Sequence, residues 1–296
     1  MQNEEGQMGR RGEVTSEQTH IPHSANLPIS RSLALPLSSQ SQHRVTIAGI
    51  GVDNLSEDEV LTEIERLIAQ GGAHYMAVVN ASKMVTASRD ELLRQILAKA
   101  DIVTADGMSV VWASRLLGRA ISERVTGIDM FEKLVAQAAE TQRSVYFLGA
   151  QEHSLRKLVE TLRLRHDDLR VAGYRNGYFA AEEEQEIAED IKRSRADILF
   201  VAMGSPAQER WINSHLEKTG VKFALGVGGS FDHIAGLVPR APRWMQQTGL
   251  EWLHRLIREP RRLWRRYLIG NASFIWLIAK QLLVPKSENQ KSEIRP

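Results

Sequence analysis

The chain contains no cysteine. That excludes a disulfide framework and a cysteine-ligated zinc site, and it makes a reducing compartment the easier home. No Asp-x-Asp string occurs, and no His or carboxylate cluster has metal-ligand spacing, so a divalent cation held by such a motif is not expected. The full glycine fingerprint of a dinucleotide-binding turn is missing too; Gly226-Val227-Gly228-Gly229-Ser230-Phe231-Asp232 is glycine-rich without matching it. Long apolar runs are also lacking. In residues 1–43, Leu33-Ala34-Leu35 is cut off by Arg31, Pro36 and a run of Ser and Gln, so there is no signal-peptide core, and the segment reads as a disordered extension. Residues 267–284 are apolar but broken by Asn271, Lys280 and Gln281, short of the roughly 20 residues a bilayer span needs.

What is present is an ordinary globular composition. With 296 residues, 43% hydrophobic and 25% charged, the chain can bury a full core as one large domain or two small ones. From Val45 onward, short β-branched runs at 45–52, 74–79, 101–105, 144–148, 170–174, 198–203 and 222–227 alternate with helical patterns. This alternation predicts an α/β fold, a Rossmann-like parallel-sheet core over 44–245 with helices on both faces. Asp53, Asn80, Asp106, Gly149, Gly204 and Gly228 stand at strand exits, and in an open α/β sheet those exits line the ligand crevice.

Near Pro239 the character changes. The alternation stops, and 246–285 reads as a basic, amphipathic helical appendage with a break at Pro260, followed by a solvated, disordered tail at 286–296. Six arginines lie between Arg255 and Arg266, and four of the six tryptophans lie between Trp244 and Trp276. Basic residues beside Trp and Leu describe helices lying on a membrane surface, which is favoured over crossing it. The formal net charge of +2 hides this local crowding.

Several residues are candidates for chemistry. Asp106, in Ala105-Asp106-Gly107, is either a general base at the crevice or a helix N-cap beside a turn glycine; from three residues alone the cap is the commoner explanation. Asn80 stands at the preceding strand end by the same logic, at the crevice, and there too a cap is the commoner explanation. Arg124 precedes a helix, where an arginine either grips phosphate bidentately or is simply solvated. Ser205, Pro206 and Gln208 fit a capping box with proline at the first helical position, which gives Gln208 a structural task, although such a helix start also receives phosphate or sugar hydroxyls. Gly228 and Gly229 allow close approach of a ligand to the backbone. The arginines at 255, 258, 261, 262, 265 and 266 are the available positive charge, for a leaving diphosphate or for anionic lipid headgroups.

Taken in order, Val79-Asn80-Ala81-Ser82-Lys83, Ala105-Asp106-Gly107-Met108-Ser109, Arg124-Val125-Thr126-Gly127-Ile128-Asp129 and Gly204-Ser205-Pro206-Ala207-Gln208-Glu209 resemble the signatures of the WecG/TagA/CpsF family, glycosyltransferase family 26. Gly228-Gly229-Ser230-Phe231-Asp232, Ala235-Gly236, Arg240-Ala241-Pro242-Arg243-Trp244 and Gly249-Leu250-Glu251-Trp252 continue the series, which runs from about Val45 to Leu283. The resemblance implies inverting, metal-independent transfer of a hexose or N-acetylhexosamine-type sugar from a UDP-sugar to a polyprenyl-diphosphate-linked sugar. The polymer served would be an exopolysaccharide, a surface antigen or a wall polymer. It implies Asp106 as general base and Asn80, Arg124, Gln208, Gly228, Gly229 and Asp232 as substrate-binding, with Arg255, Arg262 and Arg265 of the appendage meeting the diphosphate. It implies no cofactor, no metal and no nucleic acid partner, and a cytoplasmic protein peripheral at the inner face of the cell membrane. In one departure, Val78 stands where some relatives carry threonine, which removes a hydroxyl. Two rivals share many of these features: a membrane-surface protein that binds a nucleotide sugar without turnover, and a Rossmann-type oxidoreductase, which the missing fingerprint disfavours.

Overall fold

In a computed structural model of the chain, which describes residues 44–283, the first β-rich run is two strands and not one. The 1–43 extension and the 286–296 tail expected from the sequence lie outside the described residues. β1 (Arg44–Ile47) and β2 (Ile50–Asp53) form an antiparallel hairpin apart from the main sheet, in register Ile47 to Ile50. Its two-residue loop, Ala48-Gly49, has φ of 50° and 79°. Positive φ at both central positions matches the twist of a tight hairpin, and so a continuous strand over 45–52 is broken in the middle.

The other six strands make one parallel sheet: β3 (His74–Val79), β4 (Ile102–Ala105), β5 (Ser144–Gly149), β6 (Arg170–Arg175), β7 (Ile198–Ala202) and β8 (Phe223–Gly226). Their spatial order is β4-β3-β8-β7-β5-β6. Alternate side chains point to opposite faces, so Tyr75, Ala77 and Val79 enter one core while Met76 and Val78 enter the other. The first core is covered by α2 (Ala81–Ala87), α3 (Glu91–Lys99), α4 (Met108–Leu116), α7 (Glu184–Ser194) and α8 (Ala207–Thr219). The second is covered by α1 (Glu57–Gln70), α5 (Gly127–Glu140), α6 (Glu152–Arg165) and the short α9 (Ser230–Ile234). A sheet covered on both faces needs strands apolar along their whole length, as β7 and β8 are. Phe131, Phe147, Phe200 and Phe231 centre the second core in edge-to-face and stacked contacts, with centroids 4.7–6.0 Å apart.

The strand order matters for function because β4, β3, β8 and β7 are consecutive neighbours. Their carboxyl ends therefore bring the segments beginning at Asp106, Asn80, Val227 and Met203 side by side along one sheet edge.

After Pro239 the chain is helical: α10 (Arg243–Gln247), α11 (Glu251–Arg258), α12 (Pro260–Trp264), a π-helical turn (Arg265–Ile269) and α13 (Gly270–Leu283). Pro260 occupies the first turn of α12, where its missing N–H costs no helical hydrogen bond, and α11 stops two residues before it. The last helix is stitched to the core. Phe274 and Ile278 are buried against it, and Gln281 accepts from the Ala48 N–H at 2.8 Å and donates to the Thr46 carbonyl at 3.0 Å. Its opposite side leaves Ile275 and Trp276 68% and 62% exposed, with Lys280 over the Trp276 ring. No helix among the described residues is long and apolar enough to cross a membrane.

Candidate active site

Asp106 is held where two helices begin. After α4 the chain returns to the end of β4, the Val125 N–H donating to the Ala105 carbonyl at 3.0 Å, and α5 starts beside the carboxylate. Asp106 Oδ1 accepts from the Gly127 N–H at 3.3 Å, and Oδ2 lies 3.5 Å from the side-chain amide nitrogen of Asn80. The carboxylate thus sits at the positive end of a 14-residue helix. It does not cap the helix that follows it, because the N-cap of α4 is Gly107, with no side-chain bond. Asp106 is half-buried and open on one side.

Asn80 takes the capping reading and keeps its amide nitrogen on the side of Asp106. Its Oδ1 caps α2 by accepting from the Lys83 N–H at 3.1 Å, which turns Nδ2 toward Asp106. Val78 packs its methyls against Gly127, where an added Cβ would come within 3.3 Å. That side of the turn is closed by hydrocarbon.

Gln208 is 2% exposed, and both ends of its amide are used inside the protein. Oε1 accepts from the Gly228 N–H at 3.0 Å and Nε2 donates to Glu209 Oε1 at 2.9 Å. The capping box expected at this helix start is not formed: α8 has Pro206 at its N-cap and no side-chain cap bond, because Gln208 is drawn away toward β8. A Cβ on Gly226 would meet Gln208 Nε2 at 2.6 Å, so glycine there makes room for the amide. Glu209 Oε1 also receives Lys83 Nζ at 2.6 Å, in an ion pair whose side chains are only 6% and 3% exposed. The turn at Gly228, with φ of 55°, is therefore fixed from below by a buried network.

Charge gathers on the other side of Asp106. Arg124 Nη1 donates to Glu251 Oε2 at 3.2 Å, and Arg255 Nη2 donates to Glu251 Oε1 at 3.2 Å, so one carboxylate of α11 joins an arginine of the core to one of the appendage. Beside them Arg240 grips Asp129 through two bonds of 2.5 and 3.0 Å, and Thr126 donates to the same carboxylate at 2.6 Å. Burial pushes the Glu251 carboxyl up, but Arg255, Arg124 and Arg240 outweigh it and hold the group below its ordinary range. Asp129 is likewise raised by burial and lowered further by Arg240 and Thr126, ending below its usual value. His233 is held below the ordinary histidine value, first by burial and then by Arg255.

Of the residues expected from the sequence, Asn80 and Asp106 are brought together, Gln208 and Gly228 are bonded to each other, and Arg124 and Arg255 share a carboxylate. Gly229 is exposed at the start of α9, with open space where a Cβ would stand, and the Asp232 backbone carbonyl closes the turn after that helix. Arg265 lies over the Trp264 ring, 5.3 Å from its centroid, and the side chain of Arg262 lies outside the described ones. Among the described residues, no three His, Asp or Glu are grouped to hold a metal ion.

Residues 45–288 match the family model described as "Glycosyl transferase WecG/TagA/CpsF family". The chain belongs to this family. It is 33% identical over 199 residues to an N-acetylglucosaminyldiphosphoundecaprenol N-acetyl-beta-D-mannosaminyltransferase of Bacillus spizizenii, covering 67% of this chain and 76% of the relative. A protein of the same name from Bacillus subtilis is 32% identical over 193 residues, covering 65% and 74%. The protein is an enzyme, a glycosyltransferase.

Sequence reasoning passed over Lys83, Asp129, Glu209, Arg240 and Glu251 in this glycosyltransferase. Each lies inside one of the family strings. The usable signal was a pair of opposite charges in separate strings, Arg124 and Glu251 or Asp129 and Arg240.

Proposed function

We propose that this glycosyltransferase moves an N-acetylhexosamine, of the N-acetylmannosamine type, from a UDP-sugar to a polyprenyl-diphosphate-linked N-acetylglucosamine. The transfer is inverting and metal-independent, and it serves a wall polymer or a related surface polysaccharide. The transferred sugar and the acceptor follow what the relatives' names state of those proteins, and the UDP carrier follows the family resemblance. The observation that carries the chemistry is the Asp106 carboxylate, anchored by the Gly127 N–H and flanked by Asn80 at the neighbouring strand exit.

Asp106 takes the proton of the acceptor hydroxyl as its oxygen bonds to the anomeric carbon. The electron pair of the breaking carbon–oxygen bond leaves on the diphosphate, and Arg124 and Arg255 meet that charge. One displacement inverts the centre, and no second carboxylate is needed as a covalent nucleophile. Asn80 orients the base, and Gly228 and Gly229 let the donor lie close to the backbone.

The acceptor's lipid stays in the bilayer, so the enzyme works at the membrane surface, on the cytoplasmic side where nucleotide sugars are found. The exposed Trp264, Leu268, Ile269, Ile275 and Trp276 beside Arg265 and Lys280 form the face that meets it. A panel of UDP-sugars offered with short-chain polyprenyl-diphosphate N-acetylglucosamine, scored by UDP release and product mass, tests the assignment. Turnover restricted to UDP-glucose, or none with any UDP-sugar, would contradict it.

A further inference from the structure

The two clasps beside Asp106 differ in what they join. Asp129 and Arg240 tie α5 to the segment before α10. Glu251 ties the core to the appendage, and it does so with a side chain only 15% exposed, between Arg124, also 15% exposed, and Arg255. Removing this anion takes from a largely buried Arg124 the carboxylate it is bonded to, leaving only the more distant field of Asp129 against Arg255 and Arg240. Like charges would then push α11 away from the core.

A second observation fixes the same segment. Gly249, two residues before Glu251, has φ of 72°, and a Cβ there would come within 2.7 Å of Met108 Cβ and 3.2 Å of the Trp112 ring. The appendage therefore meets α4 at a point that only glycine fits, and Glu251 follows at once on the first turn of α11. Contact at Gly249 sets the angle of entry, and the shared carboxylate sets where the arginines lie.

We propose that Glu251 is a positioning residue that assembles Arg124 and Arg255 into one two-pronged anion site before substrate arrives. It rests on the reading that these two arginines meet the departing diphosphate. Glu251 itself touches no reacting atom. It spares the enzyme the cost of bringing two long cationic side chains together from opposite sides of the cleft during the reaction.

The test is hydrogen exchange of the full chain without substrate, comparing wild type with Glu251→Gln, Arg124→Gln and the double variant. Expected is a loss of protection in the α11 amides of about tenfold or more for either single variant, with α6 unchanged and no further loss in the double. In turnover, Glu251→Gln should lower kcat by about tenfold while changing KM by less than about threefold, because the arginines act on charge that appears as the bond breaks. Unchanged α11 protection in both single variants overturns the proposal. So does additive loss in the double variant, which remains readable even if Glu251→Gln lowers the melting temperature of the whole protein. Exchange is measured without donor or acceptor, so a failure to find any UDP-sugar substrate would sink the donor reading and leave this coupling standing.

Discussion

Replacing Lys83 with methionine isolates the buried network under the glycine turn. Lys83 Nζ lies 2.6 Å from Glu209 Oε1, and both side chains are shielded from solvent. Glu209 Oε1 would keep one bond, from Gln208, and Oε2 is buried with no hydrogen-bond partner among the described residues. An uncompensated buried carboxylate costs about 3–5 kcal/mol when its partner is removed. For a domain of this size each kcal/mol lowers Tm by roughly 2–4 °C, so Lys83→Met should melt roughly 6–20 °C early. The double variant Lys83→Met/Glu209→Met removes both charges and leaves only the Gln208 amide unpaired, a penalty of about 1–3 kcal/mol, so it should be more stable than the single variant. Thermal melts and urea denaturation, both followed by far-UV circular dichroism, give the Tm shift and the free-energy differences. A single variant costing under about 1 kcal/mol, or a double less stable than the single, would refute the reasoning.

Acid should unfold the protein in two stages. Burial first, helped by nearby cations, holds His215 and His233 below the ordinary histidine value, so the unfolded chain takes up protons that the folded chain refuses. Their contribution is complete above about pH 6.5 and falls as pH drops below it. Asp129 and Glu251 are depressed carboxylates, so their contribution holds above about pH 4 and is lost as pH falls through their lower folded values. His215→Gln/His233→Gln should flatten the upper stage of a stability-versus-pH curve, and an upper stage that survives would contradict the assignment. At the proposed membrane face, Ile275→Ser and Trp276→Ser remove exposed apolar groups worth about 1.5 kcal/mol or more each on burial, so each should weaken cosedimentation with anionic vesicles by about tenfold while leaving Tm unchanged. Equal cosedimentation would assign membrane contact to another face.

The parallel strands were legible because each buried run is β-branched and ends in a turn residue, and every run from 74 onward maps to one strand of the sheet. The hairpin was not, since the run from Val45 to Val52 is unbroken by any polar residue but Thr46, and its one mark is a phase slip of the apolar positions, from 45 and 47 to 50 and 52, across Ala48-Gly49. Residues 267–284 read as a surface helix from composition, yet Phe274 and Ile278 seat it on α2, and nothing local marks that docking. At the candidate site, Asp106 and Asn80 stand at neighbouring strand exits as expected, but the helix whose first N–H Asp106 meets is α5 and not the one it precedes. The ion pairs Arg124–Glu251 and Asp129–Arg240 span more than a hundred residues, and no spacing rule announces a contact made only after the chain has folded.

In the proposed reaction one carboxylate at the end of β4, that of Asp106, removes the acceptor proton. Asp106→Asn keeps an oxygen for the Gly127 N–H and nearly the same volume, so the fold and UDP affinity should stay close to wild type by calorimetry. Product formation at saturating donor and acceptor should fall by about 10²–10⁴-fold. An Asp106→Asn enzyme that turns over at the wild-type rate would contradict the account.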